Sequence, residues 1–190
     1  MNIQLSWDLF VLVFFIVIVA YSFIIGRDNT LKVIVGTYIA MIAADSLGNL
    51  FGASFSGSPI FMKMLESASV STDQEAIVFV KVLVFVVMVI LFAVRGAFSV
   101  RTVDDKSPII KIIFSVVYAG LSAGLIISVI LVFVSGVSFI GGGNEDTTTT
   151  ALWGLSNQSQ LIKMMISNTY LWFALPALAF LVHSLYTPKD

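Results

Sequence analysis

The chain has 190 residues, of which 58% are hydrophobic and only 11% are charged, and its formal net charge is −1. Because soluble domains carry about 25% charged residues, this composition cannot cover a water-facing surface, and the small net charge excludes a general basic surface for nucleic acid. Cysteine is absent, which excludes thiol chemistry, and with a single histidine, His183, we expect neither a metal site nor a cofactor.

The apolar residues are concentrated in five blocks, which we interpret as membrane-spanning helices because roughly 20 apolar residues cross the hydrocarbon layer. In chain order the blocks cover approximately residues 9–25, 33–55, 76–94, 109–140 and 170–185. The fourth block would be about 48 Å long as a helix, so we expect it to be tilted. The last block is short and contains Pro176, and four spans is the alternative if this block does not cross. The sequence predicts an all-α transmembrane bundle that forms one membrane domain over residues 1–190.

Two helix starts carry a local signature. Thr72 and Glu75 have the spacing of a capping box immediately before the third block. Ser107 followed by Pro108 places a capping hydroxyl before a first-turn proline at the start of the fourth block. Both signatures predict that a helix begins at these positions.

The distribution of basic residues predicts the orientation of the bundle, because lysine and arginine are enriched in cytoplasmic loops. If the N-terminus is outside, the inner segments contain Arg27, Lys32, Arg95, Arg101, Lys106, Lys111 and Lys189. The outer loops then contain only Lys63 and Lys163. We therefore predict an outer N-terminus and an inner C-terminus. The inner segment 95–106 is expected to set this orientation, with contact to anionic lipid as a second role.

Two segments on the predicted outer side have helical patterns of their own. Residues 58–65 begin with Ser-Pro and continue with apolar residues, which is typical of a short helix. In residues 152–167 the polar side chains form one narrow helical stripe, made of Ser156, Gln160, Lys163 and Ser167. This pattern predicts an amphipathic helix in the membrane surface or, equally, a helix packed against the spans.

Small residues recur at four-residue spacing in two of the blocks. They are Gly36, Ala40, Ala44, Gly48 and Gly52 in the second block, and Gly120 and Gly124 in the fourth. In lipid such stripes let helix backbones approach each other closely. We therefore predict that these two helices cross each other, or the same helices of a second copy, and that the stripes serve packing rather than a pore.

Two charged residues lie well inside the apolar blocks, away from the block ends. Asp45 lies near the middle of the second block, where a carboxylate costs roughly 2.5–3.5 kcal/mol, so it must be protonated, paired or hydrated. Lys81 lies nearer the outer end of the third block, and its long stem can reach toward Asp45 or toward the interface. The functional interpretation is a carboxylate that handles protons or ions. The structural interpretation, a neutral acid or an ion pair that fixes helix register, is favoured because no further carboxylate or histidine lies at similar depth.

Two stretches, residues 8–52 and 95–133, have a distinctive layout of charged and small residues. Asp8 opens the first block, Gly26-Arg27 ends it, and the next block is rich in glycine and alanine. A charged inner segment then precedes a second glycine-containing span. This layout resembles the colicin V production protein family, although Asp28-Asn29-Thr30 stands where a second basic residue is usual and a final span is added. The resemblance implies a small bacterial inner-membrane protein linked to export or envelope homeostasis, with no catalytic residue.

The sequence contains no phosphate-binding loop, nucleophile motif, zinc motif or dinucleotide fingerprint, so we do not expect an enzyme. We expect a non-catalytic scaffold or accessory subunit of an envelope or export system in the bacterial cytoplasmic membrane. Its partners would be the lipid bilayer and other membrane subunits or a second copy. The alternative is an ion- or proton-coupled transporter or channel component that uses Asp45. A third possibility is a regulator that acts at the membrane surface through residues 152–167.

Overall fold

A computed structural model describes residues 7–55, 58, 72–96, 108–140 and 159–186. Over these residues the chain is helical, as predicted, with no strand. The helices are α1 (Trp7–Phe55), α2 (Asp73–Arg95), α3 (Pro108–Val134), α4 (Gln160–Ser167) and α5 (Thr169–Tyr186). Within the described ranges α1, α2 and α3 are each long and apolar enough to cross a membrane, and α4 with α5, bent by 59°, would make a fourth candidate. The chain is therefore all-helical over its described part, with several membrane-span candidates.

Helix α1 is broken at one residue, Gly26. Its φ of 80° and ψ of 170° lie in a region that is essentially restricted to glycine. The hydroxyl of Thr30 donates to the backbone carbonyls of Ser22, at 3.1 Å, and Gly26, at 2.9 Å. The bond to Ser22 provides a donor for a carbonyl in the last turn of the first arm, where carbonyl groups lack a regular helical partner. The break divides α1 into a first arm, residues 7–25, and a second arm, residues 27–55.

The two arms run in opposite directions along α3. Val11 of the first arm packs in one apolar cluster with Leu131 of α3, whereas Asp45 of the second arm is hydrogen-bonded to Ser138, just beyond the same end of α3. A continuous helix would separate Val11 from Asp45 by about 51 Å. The chain therefore folds back at Gly26. The predicted first and second blocks lie in these two arms, and residues 27–32 between them are helical.

Replacing Gly26 with alanine is expected to destabilise the protein by about 1–3 kcal/mol, because the backbone conformation at this position strains any side chain. A Cβ at Gly26 would have no neighbour within 4 Å, so the cost comes from the backbone alone. Gly120, which lies within α3 and also has open space around its Cβ position, is the matched control. Thermal unfolding of the two alanine variants in detergent measures the difference, and equal unfolding temperatures would contradict the prediction.

Helix α2 begins at the predicted capping box. The backbone N–H of Glu75 donates to the hydroxyl of Thr72 at 3.2 Å, and the backbone N–H of Thr72 donates to the Glu75 carboxylate at 3.1 Å. This start is confirmed. Helix α3 begins at Pro108, while the predicted capping residue before it, Ser107, lies outside the described residues.

Helix α3 is shorter than the predicted fourth block, because it ends at Val134 and residues 135–140 form turns. The N–H of Gly136 donates to the carbonyl of Phe133 at 2.9 Å, and the N–H of Val137 donates to the carbonyl of Val132 at 3.3 Å. With the positive φ of Gly136, 80°, these two bonds make a Schellman motif, which ends a helix. The chain after α3 is thereby turned back toward the second arm.

Apolar side chains fill the centre of the bundle and also cover much of its outside. Phe85 of α2, and Leu125 and Phe133 of α3, are fully buried in the central cluster. The exposed apolar residues include Ile16, Leu50, Ile90 and Ile112, each more than half exposed. Soluble proteins rarely expose contiguous apolar patches larger than a few hundred Å², so this surface is compatible with surrounding lipid.

The predicted outer segments are described only in part. The proposed short helix over residues 58–65 lies outside the described residues except for Ser58, and so does the part of segment 152–167 before Ser159. The remainder forms α4, whose first turn is capped by the Ser159 hydroxyl, which accepts from the N–H of Ile162 at 3.1 Å.

Candidate functional site

Asp45 and Lys81, the two charged residues that lie well inside the apolar blocks, form an ion pair in the interior of the bundle. The Lys81 Nζ lies 2.6 Å from the Asp45 Oδ1, and the side chains are 5% and 0% exposed, respectively. Asp45 comes from the second arm of α1 and Lys81 from α2, so the pair joins these two helices. An isolated charge in such surroundings would be very costly, and pairing with good hydrogen-bond geometry is what permits its burial.

Gly48 makes room for the lysine stem. A Cβ at Gly48 would lie closer than 3.0 Å to the Cγ of Lys81, so the stem of the lysine lies directly on the backbone of the second arm. From there its ammonium group extends to Asp45, almost one turn earlier on the same helix. The absence of a side chain at Gly48 is thus what lets the long lysine side chain lie between two closely packed helices.

The turn after α3 supplies the other donors to Asp45. The Ser138 Oγ lies 2.9 Å from Oδ2 and 3.1 Å from Oδ1 of the carboxylate, and the Ile140 N–H donates to Oδ2 at 2.8 Å. The Asn49 amide in turn donates to the Ser138 Oγ at 2.9 Å. We call Asp45, Lys81, Ser138, the Ile140 N–H and Asn49 the Asp45 cluster.

Three members of the Asp45 cluster were not singled out from the sequence. Ser138 and Ile140 lie within the predicted fourth block, but the helix itself ends earlier, at Val134. The signal that could have placed them is Ser135-Gly136 after a long apolar run, since glycine commonly follows the last residue of a helix. Asn49 could have been found because it lies four residues after Asp45 and hence on the same helix face.

Aromatic rings enclose the ammonium side of the pair. The Lys81 Nζ lies 6.0 Å from the centre of the Phe133 ring, at the outer limit of a cation–π contact. Phe85 and Phe139 pack edge-on against Phe133, with ring centres 5.9 and 5.8 Å away. These rings place apolar surface beside the ammonium group, and apolar surroundings strengthen the attraction between paired charges.

The geometry favours a structural role for Asp45 in the conformation described. Both carboxylate oxygens accept hydrogen bonds, from a lysine, a hydroxyl and a backbone amide. Over the described ranges, none of the groups bonded to Asp45 is a second carboxylate or a histidine; the side chain of His183 lies outside them. The cluster fastens together the second arm, α2 and the turn after α3.

Three glycines of the small-residue stripes, Gly36, Gly52 and Gly124, lie against side chains of α2 and α5. The Cβ positions of Gly36 and Gly52 lie nearest to Phe92 and Ile77 of α2, each at 2.7 Å. Gly124 of α3 lies under the Trp172 ring of α5, and Gly120 has open space around its Cβ position. Ala40 and Ala44 are fully buried in the central cluster, where the second arm also meets α3. The backbones of these glycines therefore lie closest to side chains of α2 and α5.

A second carboxylate joins the start of α1 to α4. The Ser159 hydroxyl donates a short hydrogen bond to Asp8, and the N–H of Leu161 donates to the same carboxylate oxygen at 3.1 Å. Asp8 thus lies at the N-terminal ends of two helices, where a negative charge is favourable. This contact fixes α4 beside the first arm.

A scan of protein-family models, a search of curated proteins and a search of solved structures each found no match to this chain. The resemblance to the colicin V production protein family therefore stays a prediction.

Proposed function

We propose that the chain is a non-catalytic integral membrane protein that acts as a scaffold or accessory subunit of a bacterial envelope or export system. The observation that supports this proposal is the closed geometry of the Asp45 cluster. Its charged groups are paired with each other and with neighbouring donors, which suits a rigid element better than a group that must exchange protons.

The proposed topology has about five crossings, with the N-terminus outside and the C-terminus inside. The two arms of α1, then α2, α3 and the bent pair α4–α5 would supply them, since the arms run in opposite directions. The positive-inside tendency supports the orientation, because four of the six basic residues of the described part lie near the Gly26 end of the bundle. These residues are Arg27, Lys32, Arg95 and Lys111.

Purification of the full chain in native-lipid particles tests the scaffold proposal. We expect the tagged chain to be recovered with a second copy or with other membrane proteins at constant stoichiometry. Recovery as a single copy without a partner at every expression level would contradict the proposal. Partners that are lost from the Asp45→Asn variant, while Lys111→Gln retains them, would assign the assembly surface to the helices held by the Asp45 cluster.

The second candidate function is an ion- or proton-coupled transporter or channel component that uses Asp45. It is favoured by the presence of a carboxylate and an ammonium in an apolar interior, connected through Ser138 to the Asn49 amide. Flux measured in liposomes containing the purified chain separates the two functions. Flux that is abolished by Asp45→Asn and retained in Lys111→Gln would favour the transporter. If the chain is a scaffold, we expect its liposomes to show no more flux than empty liposomes.

A further inference from the structure

An apolar groove of about 420 Å³ lies between the first arm and α2, with α3 as its floor. Its walls include Phe14, Ile18, Phe85, Val89 and Ile126. The rim residues Val17, Ile90 and Val94 are 57%, 55% and 68% exposed, so the groove opens to the outside of the bundle. If the chain spans a membrane as proposed, this opening faces lipid.

Two basic residues lie beside one end of the groove. Val33 and Val94 line the groove, and each is adjacent in sequence to a basic residue, Lys32 and Arg95 respectively. The Lys32 Nζ lies 3.4 Å from the Cβ position of Gly96, which brings this ammonium next to the end of α2. The positive charges of Lys32 and Arg95 make this end attractive to an anion.

A polar group also lines the groove wall. Ser122 is 1% exposed, and its hydroxyl is buried without a hydrogen-bond partner among the described residues. An unsatisfied buried hydroxyl is costly, and the cost is removed if a ligand in the groove supplies an acceptor. The groove therefore offers apolar walls, one hydroxyl donor and a positively charged end.

We infer that this groove binds an anionic phospholipid, with an acyl chain along the apolar walls and the headgroup phosphate at Lys32 and Arg95. The ester carbonyls of such a lipid are acceptors of the kind that Ser122 lacks. Basic pockets between membrane helices on the cytoplasmic side are established sites for anionic headgroups. A free phosphate ion would leave the apolar walls uncovered, and a helix, with a diameter of about 10–12 Å, is too wide for a groove of this volume.

The inference is tested on the full chain purified in detergent and titrated with phosphatidylglycerol or with phosphatidylcholine of the same acyl chains. Bound lipid is counted by native mass spectrometry. We expect phosphatidylglycerol to bind at least about tenfold more tightly, because each basic side chain near an anionic headgroup contributes about fivefold. The Lys32→Gln/Arg95→Gln variant should bind phosphatidylglycerol about 30-fold more weakly and should lose most of its preference for this lipid over phosphatidylcholine.

The exposed Lys163 on α4 lies away from the groove, so Lys163→Gln is the matched loss of charge and should leave both affinities unchanged. Val89→Trp fills the groove and should weaken the binding of both lipids.

Equal affinity for the two lipids, or no effect of the double variant, would overturn the inference. Neither of these tests depends on whether Val89→Trp folds. Displacement of the lipid by inorganic phosphate alone, or cross-links that place a second copy over Val17 and Ile90, would also overturn it. A chain that still inserts into membranes but shows no lipid preference leaves the proposed scaffold function intact.

Discussion

Replacing Lys81 with methionine is expected to destabilise the protein by about 3–5 kcal/mol, because it leaves the Asp45 carboxylate buried without its cation. Asp45→Asn in the same chain should recover most of this loss. The asparagine side chain has nearly the same volume, keeps a carbonyl acceptor for the turn after α3, and carries no charge that must be neutralised. The free energy of unfolding of the single and double variants in detergent gives the coupling between the two residues.

Lys111→Met is the control for the loss of a lysine, since this side chain is exposed at the start of α3. It should change the free energy of unfolding by no more than about 0.5 kcal/mol. If Lys81→Met were as mild as this control, the ion pair would not be a stabilising contact. If the double variant were no more stable than Lys81→Met, the cost would come from lost packing of the lysine stem and not from the unpaired charge.

Adding one methyl group at Gly48 should destabilise the protein by about 1–3 kcal/mol, the usual cost of overpacking a core. The new Cβ would overlap the Cγ of Lys81, which is held from both sides because its ammonium is bound to Asp45. The lysine stem must shift, and the ion pair with it. Gly120→Ala adds the same methyl group in open space and should be neutral or stabilising by up to about 1 kcal/mol.

Whether the lysine stem causes the cost of Gly48→Ala can be tested in a variant that lacks this stem. In an Asp45→Asn/Lys81→Ala chain, Gly48→Ala should cost much less than in the natural chain, because no Cγ remains at position 81 to meet the added methyl group. An undiminished cost in that background would show that the glycine is required by the α2 backbone rather than by the lysine stem. Thermal unfolding in detergent measures all of these variants.

The sequence was sufficient to predict the all-helical character and the start of α2, because apolar block length and capping chemistry are local properties. It also identified Asp45 and Lys81 as the unusual residues, since any charge in an apolar block is conspicuous. Whether they meet depends on the rotation of the second arm against α2. That rotation is set by Gly48 and Gly52, the positions at which α2 can approach the second arm closely. The four-residue stripe predicts close approach at such positions but does not indicate which neighbouring helix approaches them.

The remaining part of the site depends on how α3 ends. The apolar residues continue through Ile140, so hydrophobicity alone predicts a helix that continues past Val134. In the structure Gly136 turns the backbone and brings Ser138 to the Asp45 carboxylate. The break in α1 is also sharper than the block boundaries indicate. The sequence pattern places Gly26 at the end of a block, and in the structure it alone is non-helical there, so the chain reverses direction without an intervening loop.

The partners of Asp45 emerge during synthesis in a fixed sequence. Lys81 follows it by 36 residues, while Ser138 and Ile140 follow by 93 and 95. Were the second arm released into the bilayer alone, its bare acid would oppose partitioning by roughly 2.5–3.5 kcal/mol. In the proposed membrane topology we therefore expect the second arm and α2 to enter the bilayer together as a hairpin, joined by the ion pair before α3 is synthesised.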